Sequence, residues 1–235
     1  MERLVIYATG IAVVCASAAV QSHAADRAIG LSLCASMARL QTERPTGTSN
    51  GSFLPSYLAS EKGAELPRAL QSTAFVYDNA LAAMAFLACG QVDRAKSIGD
   101  ALTTVGQNDR YYTDGRIRNA YRSGPVGEKA ALPGWWDDAA KNWVEDEYQV
   151  STASGNVAWA ALALLQLHAK TKDPKYLEGA ERLGSWLQQL GGTDDRDPSV
   201  PGGYYGFEPN AVRIAWKSTE HNIDTVAVSQ WLWMT

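Results

Sequence analysis

The chain has 235 residues and a formal net charge of −4, and its length is enough for one sizeable hydrophobic core. A mildly acidic chain lacks the basic surface that nucleic-acid binding requires, so we expect no nucleic-acid partner. Its three histidines and three cysteines show no metal-ligand spacing, and no phosphate-binding glycine loop is present. We therefore predict no metal and no cofactor.

The first 24 residues have the pattern of an export signal. A basic start is followed by the apolar stretch Leu4 to Val20, and Ser22-His23-Ala24 is a small-x-small cleavage pattern. The alternative is a membrane anchor helix, but small residues fill the second half of the stretch and the cleavage pattern follows at once. We predict a signal peptide over residues 1–24 and a single mature domain over residues 25–235. Such a protein is periplasmic or secreted and has no stable membrane anchor.

The mature chain begins with a predicted amphipathic helix over Asp26 to Leu40. Cys34 lies in this helix, and Cys89 ends a later apolar run. We interpret both as buried free thiols, although an oxidising compartment would also allow a disulfide between them.

A helical hairpin follows farther along the chain. Ala80 to Cys89 is almost entirely apolar, Gly90 to Asp93 is a turn, and Arg94 to Val105 has apolar residues on one stripe only. The first helix should therefore be buried on most sides, and the second should face water on one side.

The same unit recurs twice. Val157 to Leu167 is a second apolar run, followed by a turn at Lys172 to Pro174 and a striped helix that contains Tyr176 and Leu187. Ile223 to Trp233 is a third apolar run. We predict that the three apolar runs are neighbouring inner helices.

An asparagine precedes each apolar run, at Asn79, Asn156 and Asn222, with spacings of 77 and 66 residues. A tetratricopeptide array would repeat every 34 residues or so with short connections. Here two long connections intervene, Gly106 to Ser154 and Gly191 to Thr219, and their tryptophan, tyrosine and glycine content argues against disorder.

From about Thr73 onward, the sequence resembles the six-hairpin glycosidase group. The segments that carry the resemblance are Tyr77-Asp78-Asn79-Ala80-Leu81-Ala82, Ser154-Gly155-Asn156-Val157-Ala158-Trp159, Gly202-Gly203-Tyr204 and Trp216-Lys217-Ser218-Thr219-Glu220-His221-Asn222-Ile223-Asp224. The resemblance implies an all-α fold of helical hairpins that form part of an (α/α)6 toroid, with long aromatic loops at one rim and carboxylates as acid and base. Only about three hairpins are present, the third incomplete, so the chain resembles a truncated member of the group or one that needs a second chain as a partner to complete the ring.

Three carboxylates enter inner helices and are the predicted catalytic residues: Asp78, Glu220 and Asp224. Glycosidic hydrolysis requires one protonated carboxyl group and one ionised carboxylate. Glu220 and Asp224 are four residues apart on one helical face, so their repulsion should raise one pKa. The alternatives are that Asp78 is a helix cap and that the other two are acids placed favourably at a helix N-terminus.

Predicted substrate contacts come from the loops and helix entries. Aromatic rings stack on sugar faces, and polar neighbours orient the hydroxyl groups. The predicted substrate-binding residues are Tyr77, Asp114, Asn156, Tyr204, Glu208, Trp216 and His221. For the loop aromatics the alternative is ordinary loop packing, and His221 is interpreted as an orienting hydrogen-bond partner.

The functional hypothesis is an exported carbohydrate-active enzyme that hydrolyses glycosidic bonds of a poly- or oligosaccharide by carboxylate acid–base catalysis. One alternative is a non-catalytic carbohydrate-binding or scaffold remnant of the same fold. Another is a uronate lyase or epimerase on an α/α barrel, in which Tyr77 or His221 would be the base and Lys217 would neutralise the substrate carboxylate.

Overall fold

A computed structural model describes residues 29–39, 50–59, 65–192 and 196–235. The predicted signal peptide lies outside these residues. The chain divides into two compact units, Met1–Arg39 and Leu40–Thr235. In the first unit, residues 29–39 form helix α1, in agreement with the sequence prediction.

The second unit is mainly helical. Its described helices are α2 (Val76–Ala88), α3 (Val92–Gln107), α4 (Glu147–Val150), α5 (Ser154–Thr171), α6 (Pro174–Gly191) and α7 (Thr219–Met234), with a 3-10 turn at Arg68–Leu70. The three apolar runs lie in α2, α5 and α7, and the two striped segments lie in α3 and α6. The predicted hairpins α2–α3 and α5–α6 are confirmed.

Helix α5 is the centre of the core. It packs against α2 on one side and α7 on the other, and it also contacts α3 and α6. This follows from its composition, because every residue from Val157 to Leu165 is apolar, and all of them except Trp159 are buried. The predicted adjacency of the three inner helices is confirmed. Burial is uneven, however: α2 buries Val76, Asn79, Ala80, Ala83 and Phe86, whereas α7 buries only Asp224 and Val228.

Short strands accompany the helices. They are β1 (Ser52–Phe53), β2 (Thr73–Phe75), β3 (Ala120–Arg122), β4 (Gly124–Pro125), β5 (Trp135–Asp137), β6 (Asn142–Val144), β7 (Thr152–Ala153), β8 (Gly203–Tyr205) and β9 (Val212–Ile214). The pairs β1–β4, β2–β3 and β5–β6 are antiparallel, and β7, β8 and β9 form an antiparallel three-stranded sheet. The all-α prediction is therefore only partly correct, since it omits these strands. Strands of two or three residues are too short to show an alternating pattern of apolar and polar residues in the sequence.

The three-stranded sheet fixes the entrance to α5. Strand β7 leads directly into that helix and pairs with β8, where Ala153 lies opposite Gly203. Gly203 has a φ of +121°, and a Cβ atom at this position would lie 2.0 Å from the carbonyl oxygen of Thr152. Only glycine fits this close approach. The sheet thereby holds the loop that contains Tyr204 against the N-terminal end of α5.

Two of the three predicted marker asparagines make the same set of hydrogen bonds. Asn79 accepts from Leu54 N at 2.8 Å and donates to the carbonyl oxygens of Leu54 and Phe75 at 3.1 and 3.0 Å. Asn222 accepts from Val200 N at 2.7 Å and donates to two carbonyl oxygens, those of Val200 and Ser218, at 3.0 and 2.8 Å. Each is the fourth residue of its helix, so the side-chain amide clamps an extended segment against an inner helix.

The cysteine interpretation is wrong. Cys34 and Cys89 are disulfide-bonded and are not free thiols. Hydrophobic patterning suggests that a cysteine is buried, but it does not show whether its sulfur is reduced or oxidised. None of the described helices combines the length and apolar character needed to cross a membrane.

Candidate functional site

A cavity of about 550 Å³ opens where the N-terminal ends of α5 and α7 meet the β7–β8–β9 sheet. We call it the α5–α7 cavity. Its lining residues are Asn119, Tyr148, Ser151, Thr152, Ala153, Gly155, Asn156, Tyr204, Tyr205, Ile214, Trp216, Glu220 and His221. Five of the ten predicted site residues are among them: Asn156, Tyr204, Trp216, Glu220 and His221.

His221 forms part of the cavity wall and is held from two sides. Its Nδ1 atom lies 2.9 Å from Ser154 Oγ, and that hydroxyl donates to the carbonyl oxygen of Pro201 at 2.8 Å. The imidazole ring packs against the backbone of Gly155, where a Cβ atom would lie 2.5 Å from Cδ2 and 2.8 Å from Nε2 of His221. Glycine at position 155 is therefore required by the ring that lies on it.

Two carboxyl groups lie on α7 near His221. Glu220 Oε2 is 3.8 Å from His221 Nε2, and the Glu220 side chain is 60% exposed. Asp224, one helical turn later, is 8% exposed. Burial raises the pKa of Asp224, the charge of Glu220 raises it further, and Trp159 and His221 oppose both effects. The two carboxyl groups thus occupy different environments, Asp224 buried and Glu220 largely exposed.

The contact between Asp224 and Trp159 lacks good hydrogen-bond geometry. Trp159 Nε1 and Asp224 Oδ2 are both buried, and neither has a hydrogen-bond partner within the described residues. The indole therefore acts on the pKa of Asp224 by proximity and not through a formed hydrogen bond. A buried acceptor without a donor is unfavourable and is the kind of feature that is retained at functional sites.

Aromatic side chains form another part of the cavity lining. Trp216 is 57% exposed, and its ring centroid lies 5.7 Å from that of His221. Its six-membered ring packs on Gly202, where a Cβ atom would lie 2.7 Å from Cη2 and Cζ3. Tyr204 and Tyr205 also line the cavity. These rings offer flat apolar faces beside polar groups, which suits a sugar ring.

Asn119 was not predicted from the sequence, although it connects the inner-helix entrances. Its Oδ1 atom accepts from Ala153 N at 2.7 Å and from Asn156 Nδ2 at 2.8 Å. Its Nδ2 atom donates to the carbonyl oxygen of Tyr148 at 2.8 Å, and its backbone carbonyl accepts from Val76 N. Nothing in the sequence marks it, because a single loop asparagine usually indicates a turn.

Two predicted site residues on α2 lie outside the cavity lining. Asp78 is an exposed residue in the first turn, and the N-cap of α2 is Phe75, so the helix-cap interpretation of Asp78 is wrong. Tyr77 makes an edge-on contact with Trp159, with ring centroids 5.6 Å apart. Helix α5 lies between α2 and α7. Asp78 is therefore separated by one helix from Glu220 and Asp224.

The two loop carboxylates, Asp114 and Glu208, are paired with arginines. Asp114 Oδ2 lies 2.6 Å from Arg116 Nη2. Glu208 binds Arg110 and, at 3.1 Å, the fully buried Arg118. Burial raises the pKa of Glu208, but hydrogen bonds from Arg110 and Arg118 outweigh this effect and lower it to about 2. These contacts are structural, and they leave Glu208 ionised and unsuited to donate a proton.

Lys217, the cation proposed for a uronate substrate, is also paired. It forms an ion pair with Asp197 and is not part of the cavity lining. Among the described lining residues there is no lysine or arginine. Among all described residues, no cluster of three or more histidine, cysteine, aspartate or glutamate side chains is arranged to hold a metal ion.

No protein-family model matches this chain, and no curated protein matches it. Among solved structures, the chain is similar to cellobiose 2-epimerase from Bacillus thermoamylovorans B4167, with a TM-score of 0.38 and 15% sequence identity. The match covers 68% of this chain and 38% of that chain. This is a distant structural similarity to a protein of the (α/α)6 six-hairpin family, and the chain spans well under half of that enzyme's length.

Proposed function

We propose that this protein is an exported carbohydrate-active enzyme that hydrolyses glycosidic bonds of an oligo- or polysaccharide at the α5–α7 cavity. The observation that carries the proposal is the carboxyl pair Glu220 and Asp224, one helical turn apart on α7, of which Glu220 lines the aromatic cavity and Asp224 is buried outside its lining. Hydrolysis needs a neutral carboxyl group to protonate the leaving oxygen and an ionised one to activate water or to attack. The raised pKa of Asp224 beside the exposed Glu220 supports this division of roles.

The lining supports a neutral sugar as substrate. A uronate would bring a carboxylate close to Glu220, and no described lysine or arginine lines the cavity to neutralise it. Trp216, Tyr204 and Tyr205 provide surfaces on which a neutral sugar ring stacks. Asn156 and Asn119 provide polar groups for hydroxyl recognition.

A second candidate function is epimerisation of a sugar by proton removal and return at carbon. The specific observation in its favour is His221, which faces the cavity and is fixed by Ser154 and Gly155. A neutral imidazole held in this way presents a nitrogen lone pair that can accept a proton. In this mechanism Glu220 would stabilise the imidazolium that forms.

One experiment separates these functions. The purified protein is incubated with a panel of neutral oligosaccharides, and release of new reducing ends and change of sugar configuration are measured on the same samples. For hydrolysis, E220Q and D224N should each lower the rate by about 10²- to 10⁴-fold. The control is E178Q, because Glu178 is an exposed residue of α6 outside the cavity lining and its loss should leave the rate nearly unchanged.

The other outcomes each contradict the hydrolysis proposal. A change of configuration without new reducing ends, abolished by H221N, supports the epimerase. Sugar binding without turnover supports a non-catalytic carbohydrate-binding protein.

The variant D78N tests whether α2 contributes the third predicted carboxylate. If Asp78 belongs to the acid–base machinery, the rate of D78N falls as far as that of E220Q.

Export is part of the proposal. The signal-like segment 1–24 supports it, and so does the disulfide at Cys34 and Cys89, because such bonds persist in oxidising compartments. N-terminal sequencing of protein recovered from the periplasm or the medium should give a chain that starts near Ala25. An intact Met1 terminus in the cytosolic fraction would contradict it.

A further inference from the structure

We infer that Ser154 sets the tautomer of His221, keeping the imidazole proton on Nδ1 so that Nε2 is a bare proton acceptor at the wall of the α5–α7 cavity. This inference deepens the proposed function by assigning Ser154 as a positioning residue. Its geometric basis and its test do not depend on which reaction the protein catalyses.

The first step concerns the single hydroxyl proton of Ser154. This residue is fully buried, and its Oγ atom lies 2.8 Å from the carbonyl oxygen of Pro201. A carbonyl oxygen can only accept, so the serine hydroxyl must donate to it. The backbone N–H of Ser154 donates to Gly202 O at 3.0 Å, and this second bond fixes the serine against the same segment.

The second step follows at His221. Its Nδ1 atom lies 2.9 Å from Ser154 Oγ, which is hydrogen-bond distance. Because the hydroxyl proton is already directed to Pro201, Ser154 Oγ offers only a lone pair to the imidazole. Nδ1 must therefore carry a proton, and in the neutral ring Nε2 must then be unprotonated.

The third step is the orientation of Nε2. The ring cannot turn toward α5, because its Cδ2 and Nε2 atoms already touch the backbone of Gly155. Trp216 packs at 5.7 Å from the ring, and Glu220 Oε2 lies 3.8 Å from Nε2. When Nε2 accepts a proton from a bound sugar, the resulting imidazolium has Ser154 Oγ at one nitrogen and the Glu220 carboxylate near the other. Asp224 is the further carboxyl group that acts on this charge.

The test is nitrogen NMR of the histidine rings in uniformly ¹⁵N-labelled protein, at a pH at which the imidazole is neutral. The variant H221N assigns the His221 signals. The expected wild-type spectrum shows Nδ1 at the chemical shift of a protonated ring nitrogen and Nε2 at that of an unprotonated one. The opposite pattern, or an even mixture of tautomers, overturns the inference, and this measurement requires no variant that might fail to fold.

Substitution of Ser154 supplies a second measurement. In S154A the Nδ1–H preference should be lost, and the His221 nitrogens should shift toward the averaged values of a mixed population. Ser151 is the matched control: it is also buried and lines the same cavity, but its hydroxyl donates to Glu147 O and not to His221. S151A should therefore leave the His221 pattern unchanged. An unchanged pattern in folded S154A would contradict the inference.

Activity separates the inference from the proposed function. If hydrolysis or epimerisation is detected, S154A should lower the rate by roughly 10- to 100-fold, as expected for loss of an orienting partner. A protein that shows the predicted tautomer but no turnover would contradict the enzyme proposal and leave the role of Ser154 in place. A protein that is active with His221 in the opposite tautomer would contradict the role of Ser154 and leave the enzyme proposal in place.

Discussion

The surroundings of the Asp224 carboxyl group make its ionisation unfavourable. The residue is 8% exposed, its Oδ2 atom is buried without a hydrogen-bond partner, and Glu220 repels its charge. Such an arrangement makes ionisation of this carboxyl group less favourable than in an ordinary solvated acid, and groups of this kind are concentrated at functional sites. The environment of Asp224 is therefore the clearest residue-level sign of function in this chain.

This arrangement predicts a pH-dependent gain of stability in D224N. The folded-state pKa is raised above the ordinary value of 3.8, so the folded protein takes up the proton first as the pH falls. Ionised Asp224 thus destabilises the fold above its folded pKa, and the penalty is relieved as the pH falls through that value. D224N should be more stable than wild type at pH 7, by about 1 kcal/mol in urea unfolding, and the difference should vanish toward pH 4.

Asp114 supplies the control for this measurement. D114N removes the ion pair with Arg116, so it should give no gain in stability at any pH. If D224N is less stable than wild type at pH 7, the ionised Asp224 stabilises the fold and the acid role loses its basis.

For single residues, the sequence predicts which side chains recur at the helix entrances better than it predicts their hydrogen-bond partners. The asparagine repeat was visible, and Asn79 and Asn222 do recur as equivalent clamps. Their bonds to Leu54 and Val200 are not predictable from the sequence, because these residues precede the two asparagines by 25 and 22 positions. Ser154 and Gly155 belong to a segment that carries the family resemblance, but the bond from Ser154 to His221 is not predictable because it spans 67 positions in sequence.

The long connections are held together by buried ion pairs. Arg118 is fully buried and binds Asp109 at 2.6 Å and Glu208 at 3.1 Å. Arg110 joins the same network through Glu208 and a bidentate contact with Glu145. The network links the connection between α3 and α5 to the connection between α6 and α7, and it therefore supports the loop that brings Tyr204 to the cavity.

Glu208 should be the most sensitive carboxylate of this network. In E208Q the buried Arg118 loses one of its two carboxylate partners, which should cost about 3 kcal/mol in urea unfolding at pH 7. Because the folded pKa of Glu208 is lowered to about 2, its stabilisation is present above its unfolded value near 4.5 and is lost as the pH falls toward 2. The gap between wild type and E208Q should therefore narrow over that range.

Glu145 provides the comparison. Its partner Arg110 is 39% exposed, so E145Q should cost no more than about 1 kcal/mol. Equal losses in E145Q and E208Q would show that burial of Arg118 does not control the energy of the network.

At the scale of elements, hydrophobic periodicity gave the helices and their order, because inner and outer helices differ in how many of their faces are apolar. It did not give the strands or the ion network. Strands of two or three residues are too short to show an alternating pattern. An arginine in a loop is indistinguishable from a solvated charge in the sequence, because its partners lie in a distant loop. Arg116, for example, lies between the rings of Tyr112 and Tyr204, at 4.0 and 4.2 Å from their centroids.

For the whole molecule, the main asymmetry is between α7 and the other inner helices. The fifth and eighth residues of α2 and of α5 are alanines that are fully buried, and these are Ala80, Ala83, Ala158 and Ala161. The corresponding residues of α7 are Ile223 and Val226, which are 64% and 55% exposed. A patch of large apolar side chains at positions that the other two helices bury is typical of an association surface.

We therefore expect this protein to self-associate through α7. Wild-type protein should sediment as a species larger than a monomer, in a concentration-dependent way, because two copies can bury Ile223 and Val226 against each other. The double variant I223K/V226K should sediment as a monomer at every concentration, with little change in thermal stability, since both side chains are exposed in the single chain. The control is L81K, which adds a charge at a 37% exposed leucine of α2 and should leave association unchanged. A wild-type protein that is monomeric at all concentrations would contradict self-association and would favour a different chain as the partner that covers α7.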